Sequence, residues 1–298
     1  MQPNTKTNTN KIHEPVLLDE VLSTLKPKNG DTYLDLTAGY GGHAGEILQK
    51  TGFAAATLVD RDVNAINSLK KTFGGNPVEI IKNDFCAASH LLKKEGKRYD
   101  IILADLGVSS PHLNNASRGF SIKADGPLDM RMDESAALSA YEIVNNYDID
   151  DIRDILERYG EEPKAGKIAR LIAEHRPIET THQLAEIVAR AWPGHSRVHP
   201  ATRTFQAIRI AVNDELAQLE QSLPLWTDLL APGGRLAVIS FHSLEDRVVK
   251  QYFRDNTDSY DTELTSLTHK PLTAGKTELI FNPRARSAKL RAVAKIKK

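Results

Sequence analysis

The chain has 298 residues with 39 Lys+Arg against 39 Asp+Glu, so net charge argues neither for nor against a polyanionic partner. Hydrophobic residues make up 40% and charged residues 26%, the balance of a globular chain long enough for one α/β domain plus an insertion. The single cysteine, Cys86, excludes an intrachain disulfide and a cysteine-rich metal site, and no apolar run approaches the roughly 20 residues of a membrane span.

Residues 1–11 are rich in Asn and Thr and lack the apolar stretch of a signal peptide, which predicts a disordered leader on a cytoplasmic protein. Four nearly continuous apolar runs follow, Tyr33 to Leu36, Ala54 to Val59, Val78 to Ile81 and Tyr99 to Ala104, as expected of strands covered on both faces. Helical stretches such as His43 to Lys50 and Val63 to Phe73 separate them, predicting a doubly wound, Rossmann-like α/β sheet. Over 135–199 the apolar period becomes helical (Ile152, Ile155 and Leu156, then Ile168, Leu171 and Ile172, then Leu184, Ile187 and Val188). Ser139 with Glu142 predicts a capping box there, and Gly160 and Pro177 predict stops. This segment reads as an all-helical subdomain inserted between two parts of the α/β core, 12–134 and 200–283. In the second part, Thr202 to Leu223 predicts one long helix with Phe205, Ile208, Val212, Leu216 and Leu219 on a stripe. Ala231-Pro-Gly-Gly234 predicts a turn, Leu236 to Phe241 a buried strand, Leu244 to Arg254 a helix and Leu279 to Phe281 an edge strand. The last fifteen residues, 284–298, carry seven cations and no acidic residue and read as a basic tail.

Chemistry concentrates in Tyr33-Leu-Asp-Leu-Thr-Ala-Gly39-Tyr-Gly41-Gly42-His43-Ala44, a strand, a glycine-rich turn and a helix start. Such a turn lets backbone approach a ligand closely. Gly39, Gly41 and Ala44 satisfy the dinucleotide pattern, which keeps a nicotinamide oxidoreductase open. Asp35 tilts the choice: a carboxylate four residues before Gly39 suits the methionine ammonium of S-adenosylmethionine and is badly placed beside a pyrophosphate. Acidic residues also follow each of the first four strands (Asp35, Asp60, Asp84 and Asp105), where open α/β sheets bind ligands. Asp60 is placed to accept from ribose hydroxyls, and Phe85 to pack on an adenine. The alternative for any one aspartate is a turn or helix cap.

Several further blocks stand in order: His13-Glu-Pro-Val-Leu-Leu-Asp-Glu-Val21, Asp105-Leu-Gly-Val-Ser-Ser110, Arg118-Gly-Phe-Ser121, Gly126-Pro-Leu-Asp-Met-Arg-Met-Asp133, Phe205 to Leu216, Ser240-Phe-His-Ser-Leu-Glu-Asp-Arg247 and Asn282-Pro-Arg-Ala-Arg-Ser287. With these the chain resembles, over nearly its whole length, the ribosomal small subunit methyltransferase H family, also called MraW. The resemblance implies transfer of a methyl group from S-adenosylmethionine to N4 of a cytidine in the decoding region of 16S rRNA, within the small ribosomal subunit. It implies cofactor contacts at Gly41, Gly42, His43, Asp60, Phe85, Asp105 and position 112. The family usually has Gln at that last position, where this chain has His112, which cannot offer the amide's simultaneous donor and acceptor.

Asp105 is the candidate catalytic group, positioning the amine, and no metal is expected. Candidate RNA contacts are Arg118, Arg203, His242, Arg284 and Arg286, with Phe120 or Phe241 stacking on the target base. The loop from Ser109 to Asp133 is long enough to close over that base. The helical insertion is expected to serve RNA recognition or homodimerisation. A non-catalytic RNA-binding assembly factor is the third alternative.

Overall fold

The computed structural model describes residues 15–108, 113, 115–194, 198–257 and 262–296; the expected leader lies outside them. Among these residues one sheet contains seven strands: Tyr33–Asp35 (β1), Ala56–Asp60 (β2), Val78–Lys82 (β3), Tyr99–Asp105 (β4), Leu230–Ser240 (β5), Leu264–Ser266 (β6) and Lys289–Lys295 (β7). Their order is β3-β2-β1-β4-β5-β7-β6; β1 to β5 are parallel, and β7 is antiparallel to both neighbours. The apolar runs are continuous because consecutive side chains enter opposite, equally dry faces. Tyr33, Ile101 and Leu103 join a core covered by α1 (Leu18–Leu25), α2 (Gly42–Thr51) and α3 (Val63–Phe73). Leu34, Ile102 and Ala104 join the opposite core, under α4 (Phe85–Lys94), the indole of Trp226 and Phe253.

A third core is helical. Ala140–Asn146 (α5), Ile149–Gly160 (α6), Ala165–Glu174 (α7) and Thr181–Ala189 (α8) bury Ile143, Ile152, Leu156, Ile168, Ile172 and Leu184 together. Ser139 caps α5 by accepting the Glu142 N–H at 3.4 Å. This core does not stop at the expected boundaries. Phe120, Leu128, Met130 and Met132 enter it from one side, and Phe205, Ile208 and Val212 from the other.

The single helix expected from Thr202 to Leu223 is two, Thr202–Asn213 (α9) and Glu215–Asp228 (α10), broken at Asp214 with φ +50°. Its apolar stripe serves two cores, which explains the break. Phe205, Ile208 and Val212 face the helical core, while Leu219 and Leu223 pack on the sheet. The Asn213 carboxamide holds the corner by donating to Met130 O at 2.8 Å and accepting from Met132 N at 2.8 Å. Ala231-Pro-Gly-Gly234 lies inside β5 and bulges from the ladder, where pairing jumps from Tyr99↔Leu230 to Ile101↔Arg235.

The C-terminal expectations need correction. Leu279 to Phe281 belongs to a helix, Lys276–Phe281 (α12), and the strand lies inside the presumed tail as β7. Leu290, Ala292 and Val293 are fully buried there. Arg291 is tolerated in the interior because Asp246, on Ser243–Asn256 (α11), accepts from its Nε at 2.7 Å and from Nη2 at 3.3 Å. Lys289 donates to the same carboxylate at 2.9 Å, and Lys295 to Thr227 O at 3.2 Å. Much of the charge that suggests a solvated basic tail is therefore spent on fastening a strand. No described helix is long and apolar enough to cross a membrane.

Candidate active site

β1, β2 and β4 end at Asp35, Asp60 and Asp105, and parallel pairing brings these three ends to one edge of the sheet. Asp35 is 2% exposed and accepts from the Tyr33 hydroxyl at 2.6 Å and the Thr37 N–H at 3.2 Å. Burial pushes its carboxyl up to about 7 against the pull of those two donors, and nearby Asp60 adds to the rise. A cation placed beside such a group favours its ionised form.

Asp60 fastens the tip of β2 to the glycine turn, accepting from Gly39 N–H at 2.8 Å and from Asp62 N–H at 2.8 Å. Carboxylate oxygens accept more than one hydrogen bond each, so this grip is compatible with a ligand hydroxyl. Gly41 starts α2 with φ +85° and no side-chain cap; a Cβ there would lie 2.6 Å from Phe73 Cε2. Only glycine lets the helix start at this distance from α3.

Asp105 is set by Thr37, whose Oγ1 accepts the Asp105 N–H at 2.6 Å. One carboxylate oxygen, Oδ1, is buried with no hydrogen-bond partner among the described residues. The other lies 3.8 Å from His43 Nδ1. Burial pushes the Asp105 carboxyl well above the ordinary range, and the charges of Asp35 and Glu245 push the same way. Buried His43 places Nε2 2.9 Å from the Val16 carbonyl. A carbonyl only accepts, so Nε2 carries the proton, and a neutral ring turns its Nδ1 lone pair toward Asp105. An orphaned buried acceptor costs about 1–3 kcal/mol. It marks a place suited to a ligand's donor.

Phe85 opens α4 and is 8% exposed, its ring edge-on to Trp226 at 5.5 Å with Arg61 over it at 5.7 Å. Asp84 caps α4 by accepting the Ala87 N–H at 2.8 Å, so the helix-cap reading holds for this aspartate. Gly42 lies against Pro15, at the start of the described chain. His112 lies outside the described residues.

The expected RNA contacts divide sharply. Arg118 is 7% exposed, and its Nη2 donates to Arg131 O at 2.9 Å and Met132 O at 3.1 Å, while Nη1 stands 3.7 Å from Asp62. It straps the 115–133 segment to the glycine-turn side of the sheet instead of facing RNA. We expect Arg118→Ala to lower unfolding free energy by about 3 kcal/mol in denaturant titration, since it removes a buried guanidinium that faces Asp62 and donates to two carbonyls. Unchanged stability with weakened RNA binding would restore the RNA role. Phe120 is buried in the helical core and presents no face to a base. The described part of the 109–133 loop is thus packed down rather than poised as a flap. His242 caps α11, accepting from Glu245 N–H at 3.3 Å, so its role in this structure is structural. Arg203 is exposed and donates to Glu161 O at 2.9 Å; Arg284 is half-buried and Arg286 exposed. Within the insertion, Arg176 donates to the Val144 and Tyr147 carbonyls and Lys164 to Ala191 O, so the fold engages both cations.

Sequence reading missed the support beneath the site. Buried Glu245 accepts from Phe241 N–H at 2.8 Å and faces His242 Nε2 at 3.2 Å. Burial pushes its carboxyl up, but hydrogen bonds from His242 and Phe241 and the charge of Arg209 hold it below the ordinary range. Glu215, His242 and Glu245 gather closely enough to suggest a metal site. Arg209, however, donates to both Glu215 oxygens, at 2.8 and 2.7 Å, so the chain supplies its own cation there. The clamp sets half-buried Phe241 against Gly107, whose φ is +91° and where a Cβ would lie 3.5 Å from the ring. Glu245 three residues after His242 was the one local signal, a capping-box spacing.

Comparison with known proteins agrees over nearly the whole chain. A model of the MraW methylase family matches residues 10–296. Ribosomal RNA small subunit methyltransferase H of Nitratidesulfovibrio vulgaris (strain DSM 19637 / Miyazaki F) is 46% identical, covering 96% of this chain and 86% of that protein. The protein of the same name from Cyanothece sp. (strain PCC 7425 / ATCC 29141) is also 46% identical, covering 96% and 95%. That from Syntrophus aciditrophicus (strain SB) is 44% identical, covering 95% and 98%. With carboxylates at three adjacent strand tips around a glycine turn, and this similarity over nearly its full length, the chain belongs to the MraW methylase family.

Proposed function

We propose that this chain transfers a methyl group from S-adenosylmethionine to N4 of a cytidine in the decoding region of 16S rRNA, in the small ribosomal subunit. The observation that carries this reading is Asp105, at the carboxyl end of β4, whose Oδ1 is buried with no hydrogen-bond partner among the described residues. The site residues fit the cofactor. Asp35 is a buried carboxylate that a cationic ammonium stabilises, Asp60 suits ribose hydroxyls, and the Gly41–Gly42 turn admits backbone contact. When bound, S-adenosylmethionine supplies an electrophilic sulfonium methyl.

The cytosine amine is a weak nucleophile because its lone pair is delocalised into the ring, so the protein's task is alignment and charge stabilisation. Asp105 accepts an amine hydrogen and biases nitrogen toward a tetrahedral, attacking geometry. As nitrogen becomes cationic, the Asp105 carboxylate offsets its charge and takes the released proton, with His43 Nδ1 alongside as a second acceptor. Phe241, pressed on Gly107 by the Glu245 clamp, stacks on the unstacked base, whose extrusion from paired RNA costs a few kcal/mol. Arg203, Arg284 and Arg286 contact phosphates, and the helical unit serves RNA recognition. A nicotinamide reaction is disfavoured by Asp35 at the turn.

The test is mass spectrometry of small-subunit rRNA from a strain lacking this protein. Loss of the N4 methyl group, restored by the wild-type chain, is expected; an unchanged modification would reject the proposal.

A further inference from the structure

We infer that the exposed Ile280–Phe281 pair, with Arg286 and Arg284 beside it, is a docking platform for the unpaired RNA strand that flanks the target base. The inference rests on the rRNA reading above and adds a surface to it. Ile280 and Phe281 are 72% and 70% exposed at the end of α12, the two most exposed large hydrophobic side chains among the described residues. The preceding residue, Leu279, turns inward and packs on the sheet core, so the outward pair is not the result of a loosely held helix.

One peptide group, between Val16 and Leu17, places α12 at the rim of the active site. Leu17 N–H donates to Glu278 Oε1 at 2.9 Å, and the adjacent Val16 carbonyl lies 2.9 Å from His43 Nε2 in the glycine turn. The turn Pro283–Ser287, carrying both arginines, leads into Lys289, which pairs with Ser240 at the carboxyl end of β5. Platform and Asp105 therefore occupy the same edge of the sheet.

The chemistry of the patch favours RNA. Glu278, whose carboxylate is engaged by the Leu17 amide, is the last acidic residue of the chain; none follows from 279 to 298. An aromatic face among guanidiniums suits successive bases and phosphates of a single strand, where stacking is tolerant of sequence. A symmetric contact with a second copy would bring the same arginines together. It would also rest on two apolar side chains, far short of the roughly 800 Å² per partner that a stable interface buries.

The test uses full-length protein with three variants, Phe281→Ala, Phe281→Tyr and Arg286→Gln. It measures KM and kcat on unmethylated small subunits, Kd for a fluorescein-labelled single-stranded oligoribonucleotide across a salt series, and Kd for S-adenosylmethionine. Phe281→Ala is expected to raise KM and the oligoribonucleotide Kd about tenfold, with kcat and cofactor Kd unchanged. Tyrosine should restore both because it keeps the ring face, and Arg286→Gln should lower the slope of log Kd against log salt by about one. The inference fails if Phe281→Ala stays within about twofold of wild type on both RNAs. It also fails if the effect appears only with the intact subunit, which would point to a protein partner, or if Phe281→Ala converts a dimer to a monomer in light scattering. Wild-type protein that neither binds the oligoribonucleotide nor methylates subunits would remove the parent rRNA reading itself, a result distinct from any variant effect.

Discussion

Asp105→Asn is expected to lower kcat for methyl transfer to small subunits by about 10²-fold or more, the usual contribution of a group that holds and discharges a reacting proton. The amide keeps one acceptor oxygen but loses the charge that offsets the cationic nitrogen, and it cannot accept the departing proton. Asp105 Oδ1 is buried with no hydrogen-bond partner among the described residues, so it is open to a ligand's donor. Transfer of radiolabelled methyl groups into unmethylated subunits, with cofactor affinity measured separately, checks this. A kcat within about threefold of wild type would show that the carboxylate only shapes the site. His43→Gln should have a smaller effect, because Asp105 remains to accept the first proton.

Asp35→Asn should make the ligand-free protein more stable at pH 8 while destroying its affinity for S-adenosylmethionine. The folded-state carboxyl lies at about 7 against an ordinary value of 3.8, so the folded state holds its proton more tightly than the unfolded state. The associated stability is fully present below about pH 4 and is lost as pH rises through 7. The difference of about three units corresponds to roughly 4 kcal/mol, part of which the asparagine recovers at pH 8 after readjusting its bonds to Tyr33 and Thr37. Urea unfolding of both proteins from pH 4 to pH 8 reads the difference directly. Parallel pH profiles for the two would show that Asp35 is not the titrating group. By the same linkage, a cationic ligand beside Asp35 should bind more tightly as pH rises toward 7 and no more tightly beyond, because only the ionised carboxylate attracts it.

The two aspartates define a compromise that explains why the site is built from buried carboxylates. Each is unfavourable as a charge in the empty fold, and on the proposed mechanism each meets a positive charge: an ammonium at Asp35, a developing N4 cation at Asp105. Tyr33 and the Thr37 N–H hold the Asp35 carboxylate, and Thr37 Oγ1 holds the Asp105 backbone, without neutralising either acid. Stability and activity should therefore move in opposite directions at Asp35, the pattern expected where binding groups are prepared in advance.

What local pattern determines was legible in the chain itself. Continuous apolar runs identified the parallel strands, the 33–44 stretch identified the turn, and Asp35, Asp60 and Asp105 identified the strand ends, because each depends on residues close in sequence. Tertiary pairing decided the rest. Charge along a chain does not reveal whether a partner waits across the fold, so Arg118 and Arg291 read as RNA contacts or tail charge until Asp62, two carbonyls and Asp246 closed around them. Phe120 looked like a stacking residue until a helical core assembled from 120 to 212 enclosed it. Strand β7 escaped notice because its partners, β5 and β6, come from distant segments and its basic residues hide a strand pattern whose hydrogen bonds are non-local. Hydrophobic periodicity thus determined the layers and the glycines the turn, while the fate of Arg118 and Arg291 was settled only by long-range contacts.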